Sequence, residues 1–120
     1  MKKVFYLKTC GTCKKIRAQF DLSGWELREI KSKPVTEEEL AEMYARAKSY
    51  EALFSRKSTQ IKARNIDVKS LKENDFKKLI LEHYSFLKRP VFLTDNAIFA
   101  GSDKSNLEKL NHFFLSNSKS

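Results

Sequence analysis

Val4-Phe5-Tyr6-Leu7-Lys8-Thr9-Cys10-Gly11-Thr12-Cys13-Lys14-Lys15-Ile16-Arg17 carries the clearest architectural signal in the chain. Its first four residues are a continuous apolar run of strand formers, as a strand buried on both faces requires. The spacing then predicts a helix beginning near Cys10-Gly11-Thr12. Cys13, Ile16 and Phe20 recur at i, i+3 and i+7 and make one apolar stripe, while Lys14, Lys15 and Arg17 face water. Ser23-Gly24 is the expected end of this helix, with Gly24 just past its last turn. Trp25-Glu26-Leu27-Arg28-Glu29-Ile30 partly alternates, like a half-exposed strand. Strand, helix and strand in such close succession predict a parallel pair.

Farther along, Pro34 breaks the chain and the pattern turns helical. Thr36 with Glu39 reads as a capping box, followed by Leu40, Met43, Tyr44 and Ala47 on the buried face. A short apolar knot, Leu53-Phe54, precedes residues 55–65, which read as a polar loop. A longer helix then carries Leu71, Phe76, Leu79, Ile80 and His83 toward Tyr84. Pro90 leads into Val91-Phe92-Leu93-Thr94, and the turn-prone Asp95-Asn96 joins it to Ala97-Ile98-Phe99-Ala100, a β-hairpin. Gly101-Ser102-Asp103 opens a last helix with Leu107, Leu110 and Phe114 on one face, and residues 116–120 read as a fraying polar tail. The order β-α-β, a helical insertion over about 34–86, then β-β-α predicts an α/β fold. Its natural closure is a four-stranded mixed sheet with helices on its faces, the thioredoxin arrangement, as one domain over residues 1–120.

Composition narrows the function classes. A chain of 120 residues suits one domain and buries roughly 65–70% of its unfolded surface. With 41% hydrophobic and 12% aromatic residues it is neither disordered nor collagen-like. No apolar run approaches the roughly 20 residues of a membrane span. The apolar run between Lys3 and Lys8 is too short for a signal peptide, so a cytoplasmic location is expected. The net charge of +9 invites an acidic partner: nucleic acid, an anionic protein surface, or a small oxyanion or thiol-carboxylate. The bases are scattered, as in Lys14-Lys15, Arg56-Lys57, Lys77-Lys78 and Lys88-Arg89, and form no block. Without a recognition-helix pattern or an aromatic–basic stripe, direct nucleic-acid binding is not expected. No extra apolar face stands out, so the expected state is a monomer.

Cys10 and Cys13 are the only cysteines. C-x-x-C between a strand and a helix is a redox arrangement, and in a reducing compartment both thiols are expected free. Thiolate is the reactive form, and unpaired N–H groups at a helix start lower its pKa. Cys10, ahead of the helix, is the candidate nucleophile; Cys13, one turn deeper, is the resolving or sensing partner. Two small buried residues are the plainer alternative. Gly11 lets a substrate approach Cys10 closely. Zinc would need two more ligands, and His83 and His112 lie 29 positions apart, so no metal is expected. His83 reads as a satisfied core residue and His112 as a surface residue near a helix end. In a thioredoxin-like sheet the proline leading into the third strand is commonly cis and lies against the active cysteine. A cis Arg89–Pro90 peptide is therefore expected, with the Arg89 guanidinium projecting to the same spot. Arg56 is the other candidate anion clamp, since its planar fork suits an oxyanion.

These residues together resemble the arsenate reductase (ArsC)/Spx group, a thioredoxin-fold branch with a helical insertion. The resemblance runs through Tyr6 to Arg17, Leu53-Phe54-Ser55-Arg56, Phe76 to His83, Leu87-Lys88-Arg89-Pro90-Val91 and Ala100-Gly101. It implies that Cys10, in Cys10-Gly11-Thr12, takes the nucleophile's place in a thiol-dependent, glutathione-coupled oxidoreductase. Gly11, Thr12, Arg56, Arg89 and Pro90 would then form the anion and substrate site, with no bound cofactor and glutathione or another thiol as co-substrate. Glutathione-coupled arsenate reductases carry a histidine where this chain has Tyr6, and a third arginine in the segment matching Phe99-Ala100-Gly101, where it has none. Both departures argue against arsenate itself as the substrate. Cys13 instead matches the disulfide-switch pair of Spx-like regulators. That likeness implies an alternative: a redox-sensing regulator that binds the C-terminal domain of the RNA polymerase α subunit through a Cys10–Cys13 switch.

Overall fold

Val4 and Phe5 follow one another in β1 (Lys2–Tyr6), and both are fully buried. Successive strand residues point to opposite faces, so both faces of the sheet must be covered. In the computed structural model, which describes residues 1–117, they are. The sheet order is β2-β1-β3-β4. β2 (Glu26–Glu29) runs parallel to β1, whereas β3 (Val91–Thr94) is antiparallel to β1 and β4 (Ile98–Ala100) antiparallel to β3. This is the expected mixed four-stranded α/β sheet.

On one face Val4 and Phe92 pack with Ile16, Trp25 and Leu110, beneath α1 (Gly11–Ala18) and α5 (Lys104–Asn117). On the other, Phe5, Val91 and Leu93 meet Leu40, Met43, Phe54, Phe76 and Ile80. Those side chains come from the helical segment between β2 and β3, with α2 (Glu37–Ala47), α3 (Thr59–Ala63) and α4 (Glu73–Glu82). A buried ion pair ties this segment to the sheet. Arg28 of β2 donates from Nε to Glu39 of α2 at 2.6 Å, and both residues are buried. The same Glu39 completes the expected capping box, accepting the Thr36 N–H at 3.0 Å while its own N–H donates to Thr36 Oγ1 at 3.1 Å.

Several elements depart from expectation. α1 stops at Ala18, and Gly24 (φ +82°) turns the chain before Trp25 instead of closing the helix. Phe20 leaves the helix to stack on Phe114 at 4.4 Å, and Asp21 captures the N–H and hydroxyl of Ser23, a local bond that competes with helix. Arg17, expected to face water, folds over the Tyr6 ring at 4.0 Å. Tyr44 lies outside the buried face, stacked instead on Tyr50, because Leu40 and Met43 already fill the space toward the sheet. Residues 55–65 are not wholly loop: Ser58 caps α3 by accepting the Gln60 N–H. Leu71 precedes α4 and His83 follows it. His83 is half-buried, not in the core; it accepts the Ser85 N–H through Nδ1 and stacks on Tyr84. α5 continues through Asn117, two residues into the expected tail, and the rest of that tail lies outside the described residues. Among the described residues no helix is long and apolar enough to cross a membrane.

Candidate functional site

β1 delivers the chain to Cys10, whose N–H donates to Leu7 O at 3.0 Å and whose carbonyl accepts the Lys14 N–H at 3.1 Å. Cys10 is therefore the residue that caps α1: its backbone is extended and its Sγ accepts the Cys13 N–H at 3.5 Å. The loop ahead of it is pinned by Glu29, whose carboxylate accepts the Lys8 N–H at 2.9 Å. Cys10 is half-buried and Cys13 fully buried, and both are free thiols.

The two thiols are pushed in opposite directions. Burial raises the pKa of Cys10, but the N–H and S–H of Cys13, the charge of Arg89 and the N–H of Thr12 together outweigh it. The net result is a Cys10 pKa below the ordinary thiol value. Burial pushes Cys13 up to about 11, and its bond to the Cys10 sulfur adds to the rise against weaker opposition from Leu7 and Arg89. One sulfur is disposed to ionise and its neighbour to keep a proton.

Cys10 opens onto a cavity of about 450 Å³. Two main-chain bonds assemble its walls, Ser55 N–H to Phe86 O at 2.8 Å and Lys88 N–H to Leu53 O at 2.9 Å, around an isolated Phe54–Leu87 bridge. They set Arg56 beside Lys88 and Arg89, which are remote from it in sequence. The Gly101 N–H donates to Pro90 O at 2.9 Å and brings residues 101–103 to the rim. The Arg89–Pro90 peptide is cis, as expected, and Pro90 is buried. Arg89 donates from Nη1 to Leu87 O at 3.2 Å and Ser85 O at 3.4 Å, while its buried Nε has no partner among the described residues. Arg56 donates from Nη2 to Glu51 at 2.6 Å.

Residues 5–110 match the sequence model of the ArsC family. The chain belongs to the ArsC family. It is also 26% identical over 112 residues to the global transcriptional regulator Spx 2 of Bacillus anthracis, covering 91% of this chain and 86% of that protein. Solved ArsC-related structures share the fold. An arsenate reductase (ArsC) related protein from Brucella melitensis superposes with a TM-score of 0.67 at 24% identity, covering 90% of this chain and 92% of that one. An ArsC family related protein from Bacteroides fragilis gives 0.72 at 21% identity, covering 91% and 96%. The thioredoxin-like architecture of the ArsC/Spx family, with its thiol-dependent reductases and Spx-like regulators, is thus the architecture of this chain.

Within this ArsC-family frame the structure brings four expected site residues, Cys10, Thr12, Arg56 and Arg89, onto one cavity. Cys13 lies beneath Cys10 and Pro90 is buried, so neither lines the cavity. Gly11 is exposed, with open space around its missing side chain. Four charged lining residues were not singled out from sequence: Glu51, Lys57, Lys88 and Asp103. Lys57 and Lys88 adjoin Arg56 and Arg89, which was a usable signal. Glu51 and Asp103 carry no motif and enter only through the fold.

Proposed function

We propose that the protein is a thiol-dependent oxidoreductase in which the Cys10 thiolate attacks a disulfide, with glutathione or another small thiol as co-substrate. One observation carries this reading: the Cys10 sulfur caps a helix in the wall of a cavity that also holds Arg56, Lys57, Lys88 and Arg89. In the first step Cys10 forms a bond to one sulfur of the substrate disulfide, and the other sulfur leaves as a thiolate. In the second, Cys13 loses its proton to the leaving thiolate or to water and attacks Cys10. That step breaks the bond from Cys10 to the bound group, which leaves as a thiolate and takes up a proton from water, and it leaves a Cys10–Cys13 disulfide. Two external thiols reduce the disulfide, or one external thiol resolves the first adduct directly. Arg89 and Arg56 offset negative charge on the substrate. Nucleophile, partner and clamp are roles assigned by this reading. Turnover of a glutathione mixed disulfide on a peptide is the test. Cys10→Ser should abolish it, and Cys13→Ser should retain it with glutathione present. Undiminished activity in Cys10→Ser would overturn the mechanism.

A second reading is favoured by the hydrogen-bonded thiol pair together with the likeness to a transcriptional regulator. Here a Cys10–Cys13 disulfide alters the start of α1, and the protein binds the C-terminal domain of the RNA polymerase α subunit. Capture of that fragment by oxidised and reduced protein separates the two readings; absence of binding in both states removes this one.

A further inference from the structure

We propose that Glu51 sets the anion selectivity of the Cys10 cavity, holding the Arg56 guanidinium as a displaceable internal carboxylate. This deepens the oxidoreductase reading and rests on it. The two arginines of the cavity are held in different ways. Arg89 is bonded to backbone carbonyls, which are neutral, so its charge stays available to a ligand. Arg56 is bonded to a carboxylate, which cancels its charge.

Glu51 is placed for this by the fold. The Tyr50 and Glu51 N–H groups both donate to the carboxylate of Glu73 in the first turn of α4, at 2.7 and 3.1 Å. The Ala52 N–H donates to Ser49 Oγ at 3.1 Å. The short 3-10 turn Glu51–Leu53 is thereby anchored through its backbone. The paired side chains remain more than half exposed, at 53% for Glu51 and 59% for Arg56. An ion pair in that setting is screened and weakly held, so a competing anion can exchange for it.

The exchange favours some anions over others. A ligand with a single carboxylate replaces Glu51 charge for charge. A small multiply charged oxyanion would crowd its negative charge against Glu51, Asp103 and the Cys10 thiolate, all of which line the same cavity. The cavity therefore suits a carboxylate-bearing thiol or disulfide better than a compact oxyanion, and Glu51 is the residue that draws the distinction.

Titration of inorganic phosphate and, separately, acetate into the full chain, followed by amide NMR shifts, tests this without relying on Cys10 chemistry. Glu51→Gln should bind phosphate roughly tenfold more tightly than the parent, the scale of one unit charge removed beside a multivalent anion. Acetate, with a single charge, should gain by a smaller factor. Glu51→Asp should behave as the parent, and Arg56→Gln in the Glu51→Gln background should lose the gain. Equal phosphate affinity in parent and Glu51→Gln, including no binding by either, overturns the proposal; so does a gain that survives loss of Arg56. Cys10 alkylation against pH, run on the same samples, tests the oxidoreductase reading separately: the ordinary profile of a free thiol would defeat that reading whatever phosphate does.

Discussion

The Cys13 backbone N–H donates to the Cys10 sulfur across 3.5 Å, which places the less acidic thiol of the pair directly behind the more acidic one. The arrangement stabilises negative charge on Cys10 from within the helix and keeps the second sulfur in reach, protonated and out of solvent.

Iodoacetamide should therefore alkylate Cys10 with a pH midpoint below the ordinary thiol value of 9.0, and Cys13 should stay unmodified in the folded protein. Cys13→Ala removes the S–H donor but keeps the N–H, so the Cys10 midpoint should rise. Cys13→Ser restores an O–H donor and should return it toward the parent. Rates measured across pH with mass-spectrometric localisation decide this; an unchanged midpoint in Cys13→Ala would remove the side-chain contribution.

Arg89 and Arg56 should separate in the same assay. Arg89 acts on the Cys10 charge, so Arg89→Met should raise the midpoint, more so at low ionic strength. Arg56 is instead paired with the Glu51 carboxylate. Arg56→Met should leave the pH profile in place and weaken only substrate binding, seen as a raised KM with kcat retained.

The buried pair Arg28–Glu39 anchors the helical insertion to β2, and removing one partner strands the other. Arg28→Met should cost about 3–5 kcal/mol in urea unfolding. Replacing both with apolar residues should cost less, apart from the roughly 1 kcal/mol lost with the α2 cap. A double variant as unstable as the single one would contradict this account.

Glu29 predicts part of the acid sensitivity. Burial works against its ionisation, but the N–H groups of Lys8, Ser32 and Lys31 outweigh it and bring its pKa from 4.5 to about 2. Because the folded value lies below the unfolded one, its stabilisation is complete above about pH 4.5 and is lost as pH falls toward 2. Glu29→Gln should flatten the stability profile across that window, measured by thermal unfolding at a series of pH values. Equal slopes in parent and variant would remove Glu29 from the cause.

Much of this was legible in residue order. The apolar run at Val4, the C-x-x-C after it, the capping box at Thr36 and the hairpin around Asp95-Asn96 each depend on neighbours within a few positions, and each is found where spacing places it. The misplaced end of α1, the exposed Tyr44 and the helix within residues 55–65 were illegible for the opposite reason. Aromatic packing of Phe20 against Phe114, the limited room beneath α2 and the Ser58 cap decided them, and the first two depend on partners distant in the chain.

Residue order was enough for the sheet, for Cys10 at a helix start and for the two arginines as candidates, because strand and helix periodicity and capping are local. What those arginines share a cavity with came from the folded arrangement. The bonds from Ser55 to Phe86 and from Lys88 to Leu53 join segments more than thirty residues apart and bring both arginines onto the Cys10 cavity, one paired with Glu51 and the other held on backbone carbonyls. Charge in a cavity is a sum over whatever the fold brings within a few ångströms, and no spacing along the chain encodes that sum.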